Sequence, residues 1–374
     1  MLQTKTFLNW LKKFFPFLGL SALYFSFVIL VVFLFNYYSP NSAALVQKIN
    51  PFLLLIRWDS FHYLNIISGE GGSLVFFPLY TWITRIFSLF FSPIFSGFLV
   101  SFLSLAIALY FLSKLIKENY NKEISNRSLI LLLLFPTAVF FSLIYTESLF
   151  LALIVAFFYY AQKKNWLVAA IIGFFACLTR NVGIFLWPVY LVYILTDSYS
   201  HLLKKKETWY SLLIPLGLLS YCFYCYLISG DFLAFISGQS GWSQWHIFLW
   251  PGATITRFFK YYLLVPIGET GLYNFLRIVV IEGGSFLLLL TATIYWIIKK
   301  HWPYATFCLL NTVLFSCMYP MTSVNRYVAV IFPIFIFLAV ATQKKDWLFY
   351  SLMAVFSLFL IFNIYLLSVG AWVG

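Results

Sequence analysis

Apolar runs of about twenty residues recur along this 374-residue chain, separated by short polar segments that hold most of its charges. Runs of that length are what a helix needs to cross a bilayer. The pattern predicts spans over 14–37, 94–113, 128–145, 148–162, 166–179, 182–196, 209–229, 273–298, 302–320, 327–342 and 347–369. Those between 148 and 196 are short for the purpose. The stretch 75–91 is apolar too, but Pro78 and Arg85 interrupt it, and it reads better as an amphipathic helix lying in the interface. The expected fold is an all-α polytopic membrane protein, a single domain over 1–374 with about eleven spans. Its long connections are 38–93, carrying interfacial helices, and 230–272.

Charge placement fixes the orientation. With the N-terminus inside and 75–91 not spanning, sixteen of the 24 basic residues fall in cytoplasmic loops: Lys5, Lys12, Lys13, Lys114, Lys117, Lys122, Arg127, Lys163, Lys164, Lys204, Lys205, Lys206, Lys299, Lys300, Lys344 and Lys345. The other side receives Lys48, Arg57, Arg85, Arg180, Arg257, Lys260, Arg277 and Arg326. This alternation follows the positive-inside rule, and a span at 75–91 would invert every later loop. The net charge of +13 therefore reads as membrane orientation and contact with anionic lipid headgroups, not nucleic-acid binding. The basic segment 1–13 precedes an apolar run too long for a cleavable signal, so the first span is expected to stay.

The five cysteines all lie within apolar runs and form no disulfide framework; Cys222 and Cys225 have C-x-x-C spacing but are expected to pack inside a span. Only eleven acids exist, and 9% of residues are charged, so each charge near lipid needs a reason. Asp59, Glu147, Arg180, Asn181 and Arg326 all fall near the external ends of spans or in external loops. Arginine offers a planar, always-charged fork suited to phosphates, while lysine suits a solvated orientation signal. Five polar groups from distant parts of the chain thus point to one site on the non-cytoplasmic face.

Arg57-Trp58-Asp59-Ser60-Phe61-His62-Tyr63-Leu64, followed by Phe76-Phe77-Pro78-Leu79-Tyr80, resembles the opening signature of the GPI mannosyltransferase II (PIG-V) family. The likeness continues through Phe135-Pro136-Thr137-Ala138, Phe141-Ser142-Leu143-Ile144-Tyr145-Thr146-Glu147-Ser148-Leu149-Phe150 and Leu178-Thr179-Arg180-Asn181-Val182-Gly183. Ser229-Gly230-Asp231-Phe232-Leu233-Ala234-Phe235 and Asn325-Arg326-Tyr327 are similar to weaker features of bacterial relatives. The chain lacks the long inserts of eukaryotic members, which places it with compact bacterial-type proteins. The resemblance implies a GT-C glycosyltransferase at the plasma membrane. It would move a hexose, mannose in the resembled family, from a polyprenyl-phosphate donor to a lipid, glycan or protein acceptor, with inversion.

Such a transfer needs a base for the acceptor proton and positive groups for the leaving phosphate. Asp59 is the expected base; a solvated loop Asp or helix cap is the bland alternative. His62 would share a helix face with Asp59 if that stretch is helical. Arg57, Trp58, His62, Glu147, Arg180, Asn181, Gln239, Trp242 and Arg326 are the expected donor- or acceptor-binding residues. Capping by Glu147 and snorkelling by Arg180 compete with those roles. Trp242, Trp245 and Trp250 in 230–272 offer stacking surfaces. Asp59 and His62 form the only close acid–His pair near the site, which falls short of a metal site; arginines can neutralise one lipid phosphate, so no cofactor is expected. The competing class is a secondary transporter or lipid-linked sugar flippase, in which Glu282, followed by Gly283-Gly284, would be an intramembrane acid at a broken helix.

Overall fold

The computed structural model describes residues 2–38, 51–197, 206–241, 247–258, 260, 275–319 and 323–373. Lys48, Lys204, Lys205, Trp242, Trp245 and His246 lie outside the described residues. The main helices are α1 (Leu2–Tyr38), α2 (Asp59–Ser68), α3 (Pro78–Phe87), α4 (Pro93–Asn119), α5 (Lys122–Leu134), α6 (Glu147–Gln162), α7 (Trp166–Cys177), α8 (Leu186–Asp197), α9 (Leu213–Ser229), α10 (Gly284–Ile298, preceded by a π-helical turn over Phe275–Gly283), α11 (Trp302–Cys317), α12 (Val324–Val328), α13 (Pro333–Thr342) and α14 (Asp346–Ser368). Five helical stretches among them are long and apolar enough to cross a membrane: Leu11–Tyr38, Pro93–Asn119, Lys206–Ser229, Phe275–Ile298 and Asp346–Ser368. Shorter apolar helices, Glu147–Gln162, Trp166–Cys177, Asn181–Thr196 and Pro333–Thr342, pack among them. The chain is a multi-pass membrane protein.

Two of the expected spans are divided at a proline. The run 128–145 stops at Leu134 because Pro136 has no N–H to donate and forces Phe135 into extended backbone, φ −56° and ψ 143°. A 3₁₀ turn over Ala138–Ser142 follows. The run 327–342 divides between α12 and α13 at Pro333, which takes the first helical position of α13. Backbone freed by such breaks is tolerable at membrane depth only when protein supplies its partners. Here side chains do so. Asn363 Nδ2 donates to Pro136 O at 2.7 Å, Ser101 Oγ to Leu143 O at 2.6 Å, Thr137 Oγ1 to Asn325 O at 2.8 Å and Trp296 Nε1 to Pro333 O at 3.1 Å.

The segment expected to lie in the interface is α3. Its ten residues reach only about 15 Å, half a hydrocarbon core. Leu79, Tyr80, Thr81 and Thr84 face inward, and Trp82 and Ile86 are exposed. Tyr80 OH anchors it by donating to Gly97 O of α4 at 2.9 Å. Four cysteines are buried, Cys317 is partly so, and all five are free thiols.

Lysines mark one end of the bundle. Lys164 and Lys300 adopt φ +57° and +55°, turning the chain sharply between α6 and α7 and between α10 and α11. Near them Lys163 pairs with Glu118, Asn119 bonds Gln162 at 3.0 Å, and Arg127 joins Glu123 at 2.7 Å and Asp346 at 2.5 Å. Glu147 begins α6 at its other end, roughly 24 Å away along sixteen residues. The short two-residue ladder Ile247–Phe248 with Met318–Tyr319 is antiparallel, pairing Ile247 with Tyr319 and Phe248 with Met318.

The charge reading makes the lysine end cytoplasmic. In intact cells, with Cys317→Ser to remove the one partly exposed thiol, a membrane-impermeant maleimide is expected to label Glu70→Cys. It should label Lys163→Cys only after permeabilisation. The opposite labelling would invert the orientation.

Candidate active site

Four charged side chains from four separate parts of the chain meet at the end opposite the lysines. Glu147 Oε1 accepts from Arg180 Nη1 at 2.8 Å and also from Arg326 Nε, and Arg326 Nη1 reaches Asp59 Oδ2 at 2.8 Å. Glu147 is fully buried, and the two arginines expose less than a tenth of their surface. Two guanidiniums this close would repel strongly in a low-dielectric interior; the shared carboxylate offsets that. Burial works against the Arg326 charge, yet the Glu147 and Asp59 carboxylates outweigh it and hold its pKa well above the ordinary value. Aromatic faces complete each seat: Arg180 lies 4.6 Å from the Tyr327 centroid, and Arg326 4.5 Å from that of Tyr145.

Local backbone explains why these side chains point together. Asp59 is the first residue of α2, where a carboxylate gains from the helix dipole. It follows Trp58, whose φ of +45° is costly for a bulky residue and persists only where surroundings impose it. Tyr145 does so from the turn before α6: its hydroxyl accepts from Asp59 N–H at 3.1 Å and donates to Arg57 O at 3.2 Å. The Trp58 ring packs edge-on against Trp372, centroids 5.1 Å apart. Arg180 leaves the C-terminal end of α7 where the chain turns into a 3₁₀ helix, Asn181–Phe185. That turn presses so closely on α7 that a Cβ at Gly183 would sit 2.5 Å from the Ala176 carbonyl. Only glycine fits there.

Arg326 is placed by Glu282. The Glu282 carboxylate accepts from Ser323 N at 2.8 Å and from Asn325 N at 2.9 Å, capping α12. Asn325 Oδ1 in turn accepts from Arg326 N at 2.6 Å. The broken helix that the transporter reading would place at Gly283-Gly284 is not found: the helix continues through both glycines, changing from π to α geometry there. Both acid oxygens are committed to backbone donors, which gives Glu282 a scaffolding task in place of an ion site.

A cleft of about 120 Å³ opens beside the cluster. Asp59, Arg180, Asn181, Gln239 and Arg326 line it, together with Thr146, Tyr63 and Tyr327, which the sequence reading had not singled out. All three lie within the quoted motifs. Arg57, Trp58 and His62 do not line the cleft. The Arg57 backbone, not its guanidinium, serves the site; Trp58 packs on the C-terminal segment; His62 stacks on Phe76 with centroids 5.2 Å apart. His62 lies one helical turn from Asp59, but its ring faces Phe76 while Asp59 faces the cleft. Trp242 lies outside the described residues. Gln239 arrives through a turn in which Asp231 Oδ1 accepts from Leu233 N at 2.8 Å and Oδ2 from Ser237 Oγ at 2.6 Å. Asp231 is thus structural. Among the described residues no three His, Cys, Asp or Glu side chains are grouped to hold a metal ion. Both cleft-side acids are instead paired with arginine.

Comparison with known proteins bears on the fold. A family described as dolichyl-phosphate-mannose-protein mannosyltransferase matches residues 77–224, which include Glu147, Arg180 and Asn181. ArnT from Cupriavidus metallidurans, solved bound to undecaprenyl phosphate, superposes with a TM-score of 0.54 at 17% identity, over 87% of this chain and 60% of that one. The Archaeoglobus fulgidus oligosaccharyltransferase in its apo form gives 0.48 at 11% identity over 95% of this chain and 56% of that one. The same organism's AglB, in complex with an inhibitory peptide and a dolichol-phosphate, gives 0.45 at 10% over 98% and 57%. No curated protein sequence matches the chain. The chain spans about 60% of the length of ArnT, and its fold is of the GT-C type.

Removing the shared carboxylate tests the cluster. Glu147→Gln leaves two buried guanidiniums short of a counterion and is expected to lower stability by ~3–5 kcal/mol in detergent unfolding experiments. An unchanged midpoint would contradict the arrangement. Glu282→Gln replaces one oxygen with an amide donor facing a backbone N–H and should destabilise by about 1–3 kcal/mol. Sodium- or proton-coupled uptake into liposomes that disappears in this variant would restore the transporter reading.

Proposed function

We propose that the protein is a membrane glycosyltransferase. It transfers a hexose, mannose by preference, from a polyprenyl-phosphate donor to a hydroxyl on a lipid, glycan or protein acceptor at the extracytoplasmic face of the plasma membrane. The observation that carries this reading is the neutral cluster of two acids and two arginines on the wall of a cleft, at the bundle end away from the lysines. Support also comes from the dolichyl-phosphate-mannose description of the matched family and from the undecaprenyl phosphate bound to ArnT. The motif order from Arg57 to Gly183 favours a compact GPI mannosyltransferase II-like member.

The charges account for a single displacement. Asp59 Oδ1 takes no hydrogen bond among the described residues and is the free oxygen that receives the acceptor proton. The acceptor oxygen forms its bond to the anomeric carbon as the bond from that carbon to the phosphate oxygen breaks, inverting the centre. The phosphate keeps the electron pair and goes from one negative charge to two. Protonation of Asp59 simultaneously takes the four-residue cluster from zero to +1, matching the charge that develops on the leaving group. Nη2 of Arg180 and of Arg326 are uncommitted among the described residues and are the donors for that phosphate. Glu147 stays ionised and keeps both arginines in place, so it positions the site without entering the reaction.

Purified protein incubated with labelled polyprenyl-phosphate mannose or glucose and a crude membrane-lipid extract is expected to move label from the mannosyl donor. Asp59→Asn should lower kcat by roughly 10²–10⁴-fold while donor binding persists. Wild-type turnover in that variant would remove Asp59 as the base.

A further inference from the structure

A second and larger cavity, about 280 Å³, lies between α2, α3 and α9, behind the wall of the arginine cleft. The wall is the segment 74–78, a turn closed by Phe76 N–H donating to Ser73 O at 3.2 Å that leads into Pro78 at the start of α3. Leu74 and Pro78 face the second cavity, Val75 and Phe77 the cleft, and Phe76 borders both. The single O–H of Tyr221 is shared between Leu74 O at 2.5 Å and Phe76 O at 3.1 Å, tying the wall to α9. On the far side the cavity is floored by a glycine turn. Gly69 and Gly71 have φ of +80° and +94°, and a Cβ at Gly72 would lie 2.1 Å from the Ile66 side chain. Backbone is thereby brought to the cavity surface where any other residue would fill it.

Arg85 is the charged residue of the lining, and no acid lines it among the described residues. Its Nε and Nη2 donate to Ile67 O and Ile66 O, at 3.3 and 3.2 Å, capping the end of α2. Those bonds fix the guanidinium and leave Nη1 without a partner among the described residues. Trp82 and Tyr224 offer exposed ring faces at the rim, and Tyr224 is stacked on Tyr221. Ser73 and Thr81 add hydroxyls. The neighbouring surface is apolar: Ile86, Leu89 and Phe90 are 61, 76 and 78% exposed. A cation, hydroxyls and ring faces beside such a belt place the cavity at headgroup depth in the interface.

We propose that this cavity binds an anionic, hydroxyl-bearing headgroup belonging to the acceptor, whose reactive hydroxyl reaches past Phe76 to Asp59. The assignment rests on the glycosyltransferase reading for the word acceptor, but its binding chemistry is testable apart from catalysis. The phosphate chemistry is shared by lipid-borne and soluble sources, and the apolar belt favours the lipid.

The test uses two probes on the full-length protein. In nanodiscs of phosphatidylcholine with a minor fraction of phosphatidylglycerol, retention of phosphatidylglycerol after dilution into detergent is measured by mass spectrometry; glycerol 1-phosphate is measured by equilibrium dialysis. Saturable phosphatidylglycerol binding is expected, weakened about tenfold by Arg85→Gln through loss of a charge-assisted hydrogen bond. It should also fall in Trp82→Ala, which removes a half-exposed ring at the rim, and persist in Arg326→Gln. Equal binding of glycerol 1-phosphate would identify a soluble source for the same pocket. Absence of saturable binding by either probe, or loss in Arg326→Gln with retention in Arg85→Gln, would overturn the proposal. Arg85-dependent binding without sugar transfer would defeat the enzyme reading alone.

Discussion

One carboxylate oxygen, Glu147 Oε1, holds together the end of this protein opposite its lysines. It accepts from Arg180 and Arg326, residues drawn from opposite halves of the chain, in surroundings that exclude solvent from the acid altogether. Either guanidinium alone at that depth would carry a desolvation penalty of several kcal/mol. Together, and without the acid, they would repel. The acid makes the pair tolerable, and the pair makes a phosphate-sized positive seat possible. Asp59 then completes neutrality from the cleft side, where one of its oxygens remains open.

That arrangement dictates the irregular backbone around it. An unbroken helix rises past a membrane face without turning its last side chains toward a common point. Here α5, α12 and the 3₁₀ turns at 138–142 and 181–185 stop short of regular spans and bend their polar residues inward. The carbonyls released by those breaks are taken up by Asn363, Thr137, Ser101 and Trp296. Glu282 closes the same account from the other side by capping α12. Asn363, Thr137, Ser101, Trp296 and Glu282 are thus polar groups buried to satisfy the backbone around a charged site at the end of an apolar scaffold.

Much of this was legible in the residues because charge is so scarce. With eleven acids in the chain, the sorting of lysine and arginine between loops was enough to bring Asp59, Glu147, Arg180 and Arg326 to one face. Direction was harder to read than proximity. Nothing in the spacing of Asp59 and His62 reveals that Asp59, at the first position of α2 after the positive φ of Trp58, meets Arg326 while His62, one turn on, stacks on Phe76. Glu282 kept the transporter alternative open for a related reason. An acid beside Gly-Gly in an apolar run looks like an ion site, and its true partners are backbone N–H groups about forty residues later, which periodicity does not encode. The breaks at Pro136 and Pro333 were hidden because hydropathy continues smoothly across them.

The central claim is that the two arginines joined by Glu147 receive the donor's phosphate. Solving the full-length protein in complex with a polyprenyl phosphate tests it directly. The account expects phosphate oxygens within hydrogen-bond reach of both the Arg180 and Arg326 guanidiniums, with the Asp59 carboxylate facing the same cleft. A phosphate seated at the lysine-rich end, or bound with both arginines turned away from it, would contradict the account.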